Sequence, residues 1–305
     1  MVSTAAKVVV VGEGMLELSR RGAEWTLGYG GDTLNTAVHL ARYGFDTEYF
    51  SALGNDPFSV QLRADWQQAG LGTNFVLTDP TRQAGLYAIT TDPAGERSFT
   101  YWRADSAARQ MFSLPESPHV EAMAGAADLL VFSLVTLAIL PPEGRERLLA
   151  VCRAVRSHGG KVAFDGNYRP RLWANRKQAG GARDAAISCA DFGLPTFEDE
   201  AMLCGTTNPA RVADDWYALG CKEVIVKLGS EGCLLPDGRA HPPAMKLAPK
   251  DTSGAGDAFN AGYLAARLSG ASPEAAAQAG HKLAAWTVMR SGAIPQRDSD
   301  APYSS

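Results

Sequence analysis

The sequence predicts an α/β protein built on a mostly parallel central sheet, with helices on both faces and a small β-sheet projecting from it. Three observations carry this expectation. Short, continuous apolar runs bounded by turn residues alternate with helical patterns over most of the chain, the rhythm of strand-helix-strand units. The 305 residues are 46% hydrophobic and 20% charged, enough apolar material for a large core and too few charges for disorder. Two stretches break the rhythm, with strand-like composition and no helical crossover.

Taken in chain order, Lys7–Gly12 carries Val8-Val9-Val10-Val11 and reads as a first, fully buried strand. Thr33–Tyr43 follows as a helix, because Leu34, Ala37, Val38 and Ala41 recur at i, i+3, i+4 and i+7. Further strands are expected at Asp128–Ser133, Lys161–Asp165, Phe192–Pro195 and Glu223–Leu228. Between them Pro142–His158 presents Leu148, Leu149, Cys152 and Val155 on one face and ends at Gly159-Gly160. A last helical run spans Ala258–Leu268, and the polar end Gln296–Ser305 is expected to fray. The two exceptions are Met15–Gly31 and Ala84–Tyr101, the second with a hairpin turn at Asp92-Pro93-Ala94-Gly95. They predict lid excursions over approximately 15–31 and 84–103 of a single domain. A sheet of this kind must be covered, by substrate or by a second subunit.

Charge narrows the partners. With 29 Lys+Arg against 33 Asp+Glu, the net charge of −4 removes the electrostatic reason for nucleic-acid or anionic-membrane binding. Any anion must be held locally. No apolar run reaches the roughly 18–20 residues of a membrane span, and four valines are too few for a signal-peptide core, so a cytoplasmic location is expected. Five cysteines, widely spaced and without a C-x-x-C pair, predict reduced structural thiols.

Two motifs carry chemistry. Asp251-Thr252-Ser253-Gly254-Ala255-Gly256-Asp257 runs directly into a helix. Small residues there let successive N–H groups converge at a helix start, where the dipole favours anions. Asp257 beside such a hole could take the proton of an attacking alcohol while the amides of Gly254, Ala255 and Gly256 stabilise a transferring phosphoryl group. It could also be no more than a helix cap. Gly30-Gly31-Asp32-Thr33-Leu34-Asn35 opens the other helix, with glycines that admit a ligand to the backbone and an Asn35 amide suited to sugar hydroxyls.

Together, G-G-x-x-x-N near one end and D-T-x-G-A-G-D near the other resemble the two signatures of the ribokinase-like (PfkB) carbohydrate kinases, in the same order and at a similar separation. Gly12–Ser19, Gly85-Leu86-Tyr87, Tyr101-Trp102-Arg103, Gly262-Tyr263-Leu264-Ala265 and Asp165-Gly166-Asn167-Tyr168-Arg169-Pro170-Arg171-Leu172-Trp173, especially from Asn167 onward, resemble the branch acting on 2-keto-3-deoxygluconate. The resemblance runs from Val8 to Pro295. It implies a ribokinase-like three-layer sandwich with a β-lid, and transfer of the γ-phosphoryl group of ATP to the 6-hydroxyl of that sugar acid. Gly31, Asn35, Tyr87, Tyr101, Arg103 and Arg169 would bind the sugar, the arginines gripping its carboxylate. For the nucleotide it implies Asn167, Lys227, Gly229, Ser230, Gly232, Gly254 and Gly256, with Mg2+; whether a monovalent cation is required near Asp251 the sequence leaves open. Where many members carry N-x-x-E, this chain has Thr196-Phe197-Glu198-Asp199. That places Asp199 at the metal-serving position, acting through water, with Glu198 and Glu200 as open alternatives. A homodimer through the lid is expected.

Three other readings are weighed against this one. A fructokinase-like kinase of neutral sugars would not need the arginines. A non-catalytic sugar sensor would not need Asp257. A dinucleotide enzyme is suggested by Val8–Val11 leading into Gly12-Glu13-Gly14, yet Glu17 stands where a third glycine belongs and a strand is expected next.

Overall fold

A computed structural model of the chain describes residues 6–21, 24–91 and 97–303. Seven strands form the central sheet in the order Glu223–Val224, Phe192–Gly193, Lys161–Asp165, Leu129–Ser133, Lys7–Val11, Asp46–Leu53 and Val76–Thr78, every neighbouring pair parallel. Successive side chains of a strand point to opposite faces. Val9 and Val11 accordingly enter one core and Val8 and Val10 the other. The first core is closed by Pro142–Ser157 through Leu148, Val151, Cys152 and Val155. Asp32–Arg42, Ala255–Leu268 and Pro273–Val288 close the second. This is the layered α/β architecture, a parallel sheet covered on both faces, that the alternation of strands and helices predicts.

Strand Lys7–Val11 lies between Leu129–Ser133 and Asp46–Leu53, so the chain builds outward from it first to one side and then to the other. Doubly wound sheets open a crevice at the carboxyl ends of the strands where the order reverses. Gly12, Ser133 and Asp165 stand at those ends here.

Some expected boundaries shift for identifiable reasons. The run Glu223–Leu228 forms two short strands, Glu223–Val224 in the large sheet and Val226–Lys227 in a smaller one. Past Val224 it stays bonded to the segment after Phe192–Gly193, through Ile225 N to Gly193 O and Lys227 N to Pro195 O, and Val226–Lys227 also pairs with Cys233–Leu234, which in turn pairs with Ala240–His241. Phe192–Pro195 shortens to Phe192–Gly193. Both functional helices begin earlier than their apolar periodicity, at Asp32 and at Ala255, since a first turn has no apolar requirement. All five cysteines are free, and only Cys204 is exposed.

The two rhythm-breaking stretches form one four-stranded sheet in the order Glu24–Gly30, Met15–Arg21, Leu86–Thr91 and Arg97–Trp102. The central pair is parallel and the outer pairs are antiparallel. The turn expected at Asp92–Gly95 lies outside the described residues. Register sets the two faces apart: Glu17, Tyr87 and Tyr101 are in line on one, Leu18, Leu27 and Ala88 on the other.

Candidate active site

A cleft of about 2330 Å³ lies between this small sheet and the carboxyl edge of the large one. That exceeds the roughly 300–1,000 Å³ of a pocket for one small ligand, and leaves room for two. Its floor is set by close backbone packing. A Cβ on Gly31 would lie 2.3 Å from the Glu13 carbonyl oxygen, so only glycine permits the turn into helix Asp32–Arg42. Asp32, the first residue of that helix, accepts from Ser133 Oγ at 2.6 Å and from Asn167 Nδ2 at 3.0 Å.

Opposite stands the start of helix Ala255–Leu268. Gly254 is left-handed at φ 70°, and a Cβ there would come within 2.8 Å of Ala293 Cα. The Ala255 amide donates back to Thr252 O at 3.3 Å. The first intrahelical bond runs from Ala258 N to Gly254 O, which leaves the Gly256 and Asp257 amides without an acceptor in the helix. Of the expected Gly254–Gly256 amides, that of Ala255 is engaged by Thr252 O, while Gly256 and the following Asp257 offer donors at the helix start.

Asp257 accepts from Asn35 Nδ2 at 2.7 Å, joining the two motifs that are 222 residues apart. Enclosure among protein atoms, reinforced by the negative charges of Asp32 and Asp165, pushes its carboxyl up to about 8, against the pull of the Asn35 bond and of Lys227. Its surface is only half-buried, because one side faces the cleft. Lys227, which is buried, donates to Asp165 Oδ1 at 3.1 Å and Asn260 Oδ1 at 3.0 Å, and the Asn260 amide closes the triangle on Asp165 Oδ2 at 2.9 Å. A Cβ on Gly256 would lie 3.8 Å from Lys227 Nζ, so the ammonium stands beneath the helix start.

On the side expected to hold sugar, every residue lines the cleft, but several side chains are already engaged. The Tyr87 hydroxyl donates to Glu17, and burial beside that carboxylate raises its pKa strongly. Arg103, expected as a free carboxylate grip, pairs with the buried Glu13, and its charge is neutralised there. Arg169 is the more available cation: its side chain is 54% exposed and bonded to Asp199 at 3.1 Å and to Tyr168 O at 2.7 Å. Tyr101 is exposed beside Tyr87, ring centroids 5.9 Å apart. The half-fingerprint at Gly12-Glu13-Gly14 is a packing device. It leads into a strand, and a Cβ on Gly12 or Gly14 would meet Thr33 Oγ1 at 1.9 Å or the Trp66 ring at 2.4 Å.

The far end of the cleft is lined by the turn Gly229–Glu231 with Gly232, by Pro242 and Pro243, and by Gln278 and His281 of helix Pro273–Val288. Asn167, expected there, turns its amide to Asp32 instead. Asp251 accepts from Ser253 N and Gly292 N, which ties the loop before Gly254 to the segment carrying Ala293.

Among the three consecutive acids, Glu200 is consumed by a buried bidentate pair with Arg183 at 2.6 and 3.0 Å. Asp199 reaches the cleft, its carboxyl raised by burial against the opposing pull of Arg169. Asp32, Asp165, Asp199 and Asp257 thus line one cleft with Lys227 and Arg169 as neighbours. An oxygen-rich, carboxylate-dominated set of this kind fits Mg2+, which takes one or two carboxylates plus waters and phosphate oxygens.

Asp32, Asp165, Asn260, Glu13 and Glu17 were not among the expected site residues. Asp32 and Asp165 sat inside recognised motifs, where a polar residue at a strand or helix end was the available signal. Asn260 follows Asp257 by three residues and so shares its helix face.

Comparison with known proteins follows from this geometry. The model of a family described as pfkB family carbohydrate kinase matches residues 5–300. A 2-dehydro-3-deoxygluconokinase of Dickeya dadantii is 41% identical over 302 residues, covering 95% of this chain and 97% of that protein. One of Escherichia coli K12 is 41% identical over 304 residues, covering 96% and 98%. A crystal structure of a PfkB protein from Polaromonas sp. JS666 superposes with a TM-score of 0.81 at 28% identity, over 96% of this chain and 98% of that one.

The raised Asp257 carboxyl has a consequence for stability. The ordinary value is 3.8 and the folded one about 8, so between them the native state holds a proton that the unfolded chain has lost. Stability therefore falls as pH rises through that window. Asp257→Asn, neutral throughout, is expected to melt at a higher temperature than the parent, with a gap that opens above about pH 4 and levels off above about pH 8. Thermal unfolding of both proteins at pH 5 and pH 9 checks this; equal gaps at the two values would contradict it.

Proposed function

The chain belongs to the pfkB family of carbohydrate kinases, and on that premise we propose that it transfers the γ-phosphoryl group of ATP to the 6-hydroxyl of 2-dehydro-3-deoxygluconate (2-keto-3-deoxygluconate). The observation that carries the reading is Asp257, a carboxylate raised to about 8 and held by Asn35, at the start of an anion-receiving helix. A base whose pKa lies near the working pH combines availability with driving force.

Asp257 takes the hydroxyl proton as the terminal oxygen attacks. The bond from γ-phosphorus to the bridging oxygen breaks, and ADP leaves with that electron pair. The Gly256 and Asp257 amides, with Lys227 behind them, receive the charge that spreads over the phosphoryl oxygens. Mg2+, when bound, neutralises phosphate charge, and Asp199 is the acid placed to serve it. Asn35 and Asp32 orient the sugar hydroxyls on the inner side. Gly229–Gly232 and the wall formed by Pro242 and Gln278 receive the nucleotide. The small sheet, closing over the sugar, excludes the water that would otherwise hydrolyse ATP.

Specificity for a sugar acid rests on Arg169 first and Arg103 second, because Glu13 already neutralises Arg103. A fructokinase-like role has no use for an accessible arginine at this position. Release of ADP measured across 2-dehydro-3-deoxygluconate, its galactonate-derived epimer, fructose and ribose is expected to favour the sugar acids, and Asp257→Asn to lower kcat by about 10²–10⁴-fold. Preference for fructose or ribose would overturn the substrate, and retained turnover in Asp257→Asn would remove it as base. Arg169→Ala is expected to raise KM for the sugar acid by about tenfold or more, one charge-assisted bond being worth roughly 1.5–3 kcal/mol, and to leave a poor neutral acceptor unchanged.

The back of the small sheet offers a partner surface. Trp25, Leu27 and Trp102 are 50%, 47% and 58% exposed. Leu27 and Trp102 share the face turned away from Tyr87, and apolar area of this sort is covered in a homodimer. Light scattering at micromolar concentration is expected to give twice the chain mass, and Trp102→Glu to return the monomer.

A further inference from the structure

Three side chains with metal-ligating atoms meet in the wall at the far end of the cleft. Cys233 and His241 are register partners across an antiparallel pair, and His281 comes from the middle of helix Pro273–Val288. One ligand atom of each lies within 4.8 Å of the other two, and Cys233 Sγ is 3.6 Å from His281 Nε2. Zinc bonds of about 2.3 Å to sulfur and about 2.0–2.1 Å to nitrogen make a tetrahedral edge of about 3.5 Å. The Cys233–His281 pair is therefore already at ligating separation, and the other two ligand-atom separations are no more than 4.8 Å.

The surroundings support a site rather than a chance encounter. His241 Nδ1 is buried without a hydrogen-bond partner, an arrangement that costs stability unless something is received there. The two imidazoles lie parallel at 5.4 Å, and Phe259 holds His281 by an edge contact at 5.1 Å. Gly232 fixes the hairpin, since a Cβ on it would lie 2.2 Å from His241 O. Cys233 is fully buried beneath, whereas both histidines line the cleft.

We propose that Cys233, His241 and His281 bind one thiolate-preferring divalent cation, zinc in chemical class, with a fourth coordination position open to the cleft. One thiolate and two imidazoles select zinc or cobalt over hard, oxygen-seeking Mg2+, so this site is separate from the carboxylates around Asp257. Ligation replaces the thiol proton, which leaves to solvent. The bound ion joins the hairpin that follows the Gly229–Gly232 turn to helix Pro273–Val288.

Titration of the intact, nucleotide-free protein with Co2+ tests this directly. One equivalent is expected to produce a near-ultraviolet thiolate-to-cobalt band that zinc abolishes. Cys233→Ser should lose the band, and His241→Gln and His281→Gln should each weaken binding by about tenfold or more. Cys204→Ser, which removes the exposed cysteine, should change nothing. Zinc is also expected to raise the melting temperature of the parent but not of His241→Gln, a half-buried replacement that leaves the core intact. Absence of the band, its survival in Cys233→Ser, its loss in Cys204→Ser, or equal zinc affinity in parent and histidine variants would each overturn the assignment.

Discussion

The cleft is organised by an imbalance of charge. Asp32, Asp165 and Asp257 converge where the central sheet changes direction, and one buried ammonium, that of Lys227, stands among them. Carboxylates brought together away from bulk water cannot all ionise at ordinary cost. Asp165 receives Lys227 and the Asn260 amide, Asp32 receives Ser133 and Asn167, and Asp257 receives one amide from Asn35. Asp257, enclosed by burial beside the charges of Asp32 and Asp165 and holding the single Asn35 amide, carries a raised pKa at the start of helix Ala255–Leu268.

The same economy explains how a chain of net charge −4 accommodates anionic ligands. Under the proposed function anion recognition would be local, in two amides at a helix start, one buried lysine and two arginines. Even these cations are paired, Arg103 with Glu13 and Arg169 with Asp199. A ligand carboxylate at Arg169 would compete with Asp199, so in the proposed reaction sugar acid and metal-serving carboxylate would meet at one guanidinium. Exposure separates the two arginines, since a half-exposed pair exchanges partners at far lower cost than a buried one.

Much of the fold was legible in the chain because hydrophobic periodicity is local. Val8–Val11 and Lys161–Asp165 read as buried strands, and Pro142–His158 as a helix, from spacing alone. The two stretches without crossovers read as the small sheet for the same reason. What periodicity could not convey was pairing. Glu223–Leu228 is one apolar run, yet its second half gains a further neighbour, Cys233–Leu234, while still bonded to Gly193 and Pro195, and nothing in its spacing announces that partner. Tyr87 and Arg103 carried the right chemistry for a sugar acid, but Glu17 and Glu13, distant in sequence, engage them first.

The sequence by itself determined the layered α/β architecture, the two glycine-containing motifs and the candidate base Asp257, because each is written in residues next to one another or at helical spacing. Only the tertiary structure decided that of Glu198, Asp199 and Glu200 it is Asp199 that lines the cleft, Glu200 being held by the buried Arg183 pair. It likewise decided that Asn35 bonds Asp257 and that Lys227 is shared between Asp165 and Asn260. Those contacts span from tens to more than two hundred residues. Strengths and protonation states are set by distance and burial in space, quantities that linear spacing does not contain.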